Sequence, residues 1–172
     1  MNFSGTPLES LPLGAIFAAV AAFACYRTVV AQSRGRSLRL WQLSIAPALG
    51  VLAAGTMLVR ASVATPCLAA WVLVLAVGFT IGIVAGQSAS LQIDYICRLI
   101  RVDWGLETVL SALMILLAAL TVSALSASQL SILEWACVAA IVAGLCAGLL
   151  GGKAWRLFLA AFRSPDTRLS DL

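Results

Sequence analysis

The apolar positions of this chain come in five long runs, set apart by short stretches that hold nearly all of its charge. The runs are Leu13 to Ala31, Leu43 to Val59, Cys67 to Ala85, Val109 to Leu125 and Ile132 to Leu150. Each meets or approaches the ~17 to 25 residues that cross a hydrocarbon core, and a helix of 19 residues at ~1.5 Å each is about 28 Å long. Backbone groups in lipid must be bonded internally, and no alternating pattern points to a barrel. The pattern therefore predicts an all-α integral membrane bundle of five transmembrane helices.

Two segments outside the runs are also patterned. "LQIDYICRLIRVDW", residues 91–104, is too short and too charged to span. As strands, Leu91, Ile93 and Tyr95 alternate with Gln92 and Asp94, and a return through Arg98 to Val102 makes a hairpin, without a strong turn dipeptide. As a helix, Asp94 pairs with Arg98 while Leu91, Tyr95, Leu99 and Val102 form an apolar face. The hairpin is slightly preferred. After Gly152, "KAWRLFLAAFRSP" puts Trp155, Phe158, Leu159 and Phe162 on one side and Lys153, Arg156 and Arg163 on the other, with Ser164 and Pro165 as a stop. It reads as an interfacial helix. The expected organisation is a five-span domain over 1–152 and an amphipathic cytoplasmic helix and tail over 153–172.

Composition agrees with the runs: of 172 residues, 62% are hydrophobic and 10% charged, against roughly 25% charged in soluble domains. Eleven cations face seven acids, for a net charge of +4. With five spans, Arg27, Arg34, Arg36, Arg39, Arg98, Arg101, Lys153, Arg156, Arg163 and Arg168 gather on one side, and only Arg60 falls on the other. The positive-inside rule then predicts an N-terminus outside and a C-terminus in the cytoplasm, in a cell inner membrane. The basic side forms a collar, "RGRSLR" at 34–39 with the last helix, suited to anionic lipid headgroups at about 1 kcal/mol per cation. Topology signalling alone also accounts for it. Trp41, Trp104, Trp155, Trp71 and Trp135 fall near span boundaries and are expected to anchor there. The first span is expected to be retained: residues 1–12 carry Glu9 and no basic n-region, although "AAFAC" at 21–25 faintly resembles a lipoprotein cleavage site ending in Cys25.

Glycine supplies the other pattern. In "GFTIGIVAG", Gly78, Gly82 and Gly86 recur every four residues inside a lipid-length run, not in the strand-to-helix turn a phosphate cradle needs. Gly144, Gly148 and Gly152 repeat the spacing in the fifth run at matching depth, and Ala46, Gly50 and Ala54 form a looser row in the second. Rows of small residues let helices approach closely, so the third and fifth spans are expected to pack through their glycines, within one chain or across a homo-oligomer.

Chemistry is sparse. Arg27, Arg60, Glu134 and Lys153 sit near span ends, where they can stay wet or snorkel. Thr56, Thr80, Ser111, Thr121, Ser123 and Ser44 are expected to bond back to the preceding turn. Without histidine or a C-x-x-C, no metal, cofactor or catalytic residue is nominated, and nucleic acid is not an expected partner. Cys25, Cys146 and Cys137 read as span residues, and Cys97 as a cytoplasmic thiol. Cys67 and Cys137 both fall near the outer face. They are expected to be two inert buried thiols, because pairing demands Cα atoms within about 7 Å and the spacing supplies no such proximity.

The stretches "LWQLSIAPALGVLAAG", "AAWVLVLAVGFTIG" and "AGLCAGLLGGKAWRLF", with the aspartate-containing linker between spans three and four, resemble a family of small five-span bacterial inner-membrane proteins distantly similar to the CcdC-like proteins. Such proteins carry a Pro-Gly-Ser-Trp-like stretch before the fourth span; "VDWG" keeps Trp104 there without the proline and serine. The resemblance implies no catalytic residues. The expected role is packing, partner binding or membrane organisation. The alternatives are a small oligomeric transporter or channel, and a thiol-dependent redox protein using Cys67 and Cys137.

Overall fold

The computed structural model describes residues 13–33, 38–60, 65–88, 91–94, 99–102, 105–128 and 132–161. Five helices, α1 (Leu13–Ser33), α2 (Ile45–Arg60), α3 (Thr65–Ala85), α4 (Leu106–Ser128) and α5 (Ile132–Ala161), are each long and apolar enough to cross a membrane, α2 together with the 3-10 turn Leu40–Ser44 before it.

Helices α1, α2, α5 and α4 form a ring in that order, each touching its two neighbours. Small residues line the inside: Ala18, Ala21 and Ala22 of α1, Ala53 and Ala54 of α2, Ala112 and Ala119 of α4, and Ala140, Ala143 and Ala147 of α5 are all buried. Met57, Ile115, Val29 and Val122 fill what the alanines leave. In lipid the gain is close dispersion contact, since acyl chains are as apolar as the side chains they replace. The row on α2 serves the same end, because a Cβ on Gly50 would meet Ile115 Cδ1 at 3.3 Å and Ala147 Cβ at 3.4 Å.

Helix α3 stands outside the ring and leans on α5, by far its most extensive helix contact. Val72, Leu73, Val77, Ile81 and Val84 along it are exposed, as lipid-facing side chains of an outer helix must be.

The linker between α3 and α4 is a hairpin, not a helix: β1 (Leu91–Asp94) and β2 (Leu99–Val102) are antiparallel with Leu91 opposite Val102 and Asp94 opposite Leu99. A two-residue strand, Leu38–Arg39, pairs with the other edge of β2, Leu38 opposite Ile100. The two linkers are thus tied into one three-stranded sheet at one end of the bundle. Period-two alternation in 91–94 signalled the hairpin, whereas two residues are too few for any periodic signal at 38–39.

No turn separates the fifth span from the amphipathic segment, for α5 is unbroken from Ile132 to Ala161. The reason is a buried stripe that runs from Leu150 past the last glycines to Lys153, Ala154, Leu157 and Ala161. Trp155 and Phe158 lie on the exposed side, their rings stacked with centroids 6.2 Å apart. Arg34, Arg36, Cys97, Arg98 and Trp104, and Phe162 to the C-terminus with Arg163, Ser164, Pro165 and Arg168, lie outside the described residues.

Candidate functional site

The feature that sets this bundle apart is the clasp between α3 and α5. Its glycines interlock in one register within a single chain. A Cβ on Gly78 would strike the carbonyl of Leu145, one on Gly82 that of Leu149, one on Gly148 that of Leu75, and one on Gly152 that of Phe79. These obstacles are backbone atoms, which cannot swing aside as a side-chain tip can. Near the other end of the seam Trp71 occupies the space beside Gly144, where a Cβ would lie 2.7 Å from its Nε1. Trp71 is therefore half-buried in the seam and not an interfacial anchor; its Nε1 is buried without a hydrogen-bond partner. Trp41, Trp135 and Trp155 are exposed.

The same register brings Cys67, in the first turn of α3, to Cys137, in the second turn of α5. Their Cα atoms are 6.3 Å apart and the sulfurs are bonded, which overturns the expectation of two inert thiols. The seam supplies the proximity that the spacing along the chain did not. With Gly78 against Leu145 and Gly148 against Leu75, the facing residues of the two parallel helices are about seventy positions apart, and the cysteines are separated by 70. Cys25 and Cys146 are free and buried, and Cys25 Sγ donates to the carbonyl of Ala46 at 3.3 Å.

At the opposite end of the bundle Lys153 is not a snorkelling surface cation. Only 4% exposed, it donates from Nζ to Glu107 Oε1 at 2.6 Å and to Thr108 Oγ1 at 3.0 Å, with Thr108 itself 2% exposed. Position 153 lies three residues after Leu150 and four before Leu157, on the buried stripe, so its ammonium must find partners inside. The first turn of α4 provides them, and Glu107 also suits the positive end of that helix. Losing one partner of a buried pair costs roughly 3–5 kcal/mol, and less here because Glu107 is 62% exposed to screening surroundings. Glu107→Gln is expected to lower the thermal midpoint in detergent by several degrees, and Glu107→Gln with Lys153→Met to recover most of it. A double variant no more stable than the single one would show that the stranded charge is not what costs.

The hydroxyls inside the spans bond back to their own helices, and Ser123 also donates to the carbonyl of Ala15 in α1 at 3.5 Å. Thr56 donates to Ala53, Thr80 to Val77, Thr121 to Ala118 and Ser123 to Ala119, each at 2.8 Å, and Ser111 to Glu107 at 2.8 Å. Ser44 donates to the carbonyl of Trp41 at 2.7 Å. Among the described residues no three His, Cys, Asp or Glu side chains gather as a metal site would require.

No family model, curated protein or solved structure matches this chain. The five apolar helices carry the class: this is a multi-pass membrane protein in contact with a lipid bilayer.

Proposed function

We propose that the chain is an organising subunit of a bacterial inner membrane, with its N-terminus outside and its C-terminus in the cytoplasm. It binds partner membrane proteins and anionic lipid headgroups and does not transform a substrate. The observation that carries this reading is the position of the Cys67–Cys137 bond. It closes the end of the bundle opposite the two linkers that hold the "RGRSLR" stretch and Arg101. Disulfides persist in oxidising compartments and arginine-rich loops remain in the cytoplasm, so two unrelated rules agree on which end is out. The alanine-filled ring supports a static role, since any pore would have to run between chains.

Reporter fusions test the orientation: those at residues 34–37 and at the C-terminus are expected to report the cytoplasm, and those at 62–63 and 129–130 the exterior. Reporters at 34–37 and at the C-terminus found in opposite compartments would overturn it.

The bond also favours a second reading, in which Cys67 and Cys137 exchange electrons with a dithiol partner: the disulfide takes up two electrons and two protons, and the partner leaves as a disulfide. That reading expects the bond to open readily in the folded protein under mild dithiol; a structural clasp stays oxidised until the helices separate.

A further inference from the structure

Gln32, near the end of α1, is 3% exposed, and its Nε2 donates to the carbonyl of Gln42 at 2.9 Å. A carbonyl only accepts, so the amide nitrogen must face it and Oε1 must turn the other way. Oε1 is buried and has no hydrogen-bond partner. A buried acceptor without a partner inside the protein is open to a donor from outside the chain, a water or a ligand group. Gln32 lines a recess of about 370 Å³ between α1 and the start of α2, shared with Arg27, Thr28, Ala31, Gln42 and Ile45. The Thr28 hydroxyl is already committed to Ala24 at 2.7 Å, whereas Arg27 is exposed and pairs with no carboxylate among the described residues. The recess therefore offers one cation without a carboxylate partner among the described residues and two apolar walls, Ala31 and Ile45, and one of its lining residues, Gln32, keeps an unpartnered acceptor buried behind that lining.

We infer that this recess binds the headgroup of one phospholipid, whose phosphate pairs with Arg27 and whose N–H or O–H donates to Gln32 Oε1. The depth suits a lipid: Arg27 is within two turns of the end of α1 at Ser33, about 9 Å along the axis, and its stem can carry the guanidinium to the phosphate layer. The planar guanidinium can hold two phosphate oxygens at once. The selecting element is the uncharged amide, so the site differs from a basic collar that responds to charge alone. It requires membrane insertion only and is independent of which face is cytoplasmic.

Native mass spectrometry of the full-length protein with added lipid tests it. Phosphatidylethanolamine and phosphatidylglycerol, which both carry a donor, are expected to bind at least tenfold more tightly than phosphatidylcholine, which has the phosphate but no donor. R27Q is expected to weaken ethanolamine and glycerol lipids at least fivefold, and Q32L to erase the preference over choline. Arg27 is exposed, so R27Q leaves the packing intact and decides the matter even where Q32L does not fold. Equal binding of all three lipids, or undiminished binding by R27Q, would overturn the site. Displacement of the lipid by equimolar glycerol 3-phosphate would overturn the lipid as its source.

Discussion

Leucine at Gly82 or at Gly148 is expected to detach α3 from α5. At both positions the first added carbon meets a carbonyl oxygen of the facing helix, that of Leu149 for Gly82 and that of Leu75 for Gly148. Overpacking ordinarily costs ~1–3 kcal/mol because neighbouring side chains give way. Here two backbones must separate, which forfeits the close contact along the whole seam, so roughly 3 kcal/mol or more is expected. The variants should elute as broad or aggregated species in mild detergent and show faster proteolysis between α3 and α4. Gly55 is the control. A Cβ there would meet nothing within 4 Å, and replacing a helical glycine improves helix propensity by about 1 kcal/mol or less. Gly55→Leu should leave the elution profile unchanged and the melting temperature unchanged or slightly raised. Were Gly82→Leu to behave like Gly55→Leu, the seam would not be holding α3.

Removing the disulfide is expected to have the second-largest effect. A closed loop of about seventy residues restrains the unfolded chain by about 4 kcal/mol in the chain-entropy treatment. A bilayer already confines the separated helices, so Cys67→Ala and Cys137→Ala are each expected to lose about half of that, roughly 2 kcal/mol. The loss should appear as a lower thermal midpoint and as new cleavage near the start of α3. Because seam and bond hold the same pair of helices, their effects should not add. Cys67→Ala combined with Gly82→Leu is expected to cost less than the sum, since α3 has little left to lose once released. Full additivity would mean that bond and seam act on separate parts of the fold.

The spans were legible because lipid leaves a helix few options: every backbone group must be bonded within the segment, so an apolar run of the right length reads directly as an element. The facing glycines were legible for a related reason, since four-residue spacing fixes a helix face whatever surrounds it. What could not be read were consequences of register between helices. Cys67 and Cys137 carry no mutual signal until Gly78 is set against Leu145 and Gly148 against Leu75; then the bond follows. Lys153 misled because a cation after a glycine run looks like the end of a span, and only the continuing stripe through Leu157 and Ala161 shows it pointing inward. Trp71 misled in the same way: its place near a span end suggested the interface, but the missing side chain at Gly144 draws the ring into the seam. The Gln32 recess lies beyond sequence reading, because it depends on a single carbonyl, that of Gln42, lying within reach.

The most direct test of the clasp is a peptide map of the protein denatured, alkylated without reduction and cut with trypsin. Cleavage after Arg60, Arg98, Arg101 and Lys153 releases residues 61–98, which hold Cys67 and Cys97, and residues 102–153, which hold Cys137 and Cys146. The two fragments are expected as one covalent species joined through Cys67 and Cys137, with Cys25, Cys97 and Cys146 alkylated. Recovery as separate fragments, with Cys67 and Cys137 both alkylated, would contradict the docking of α3 on α5 described above.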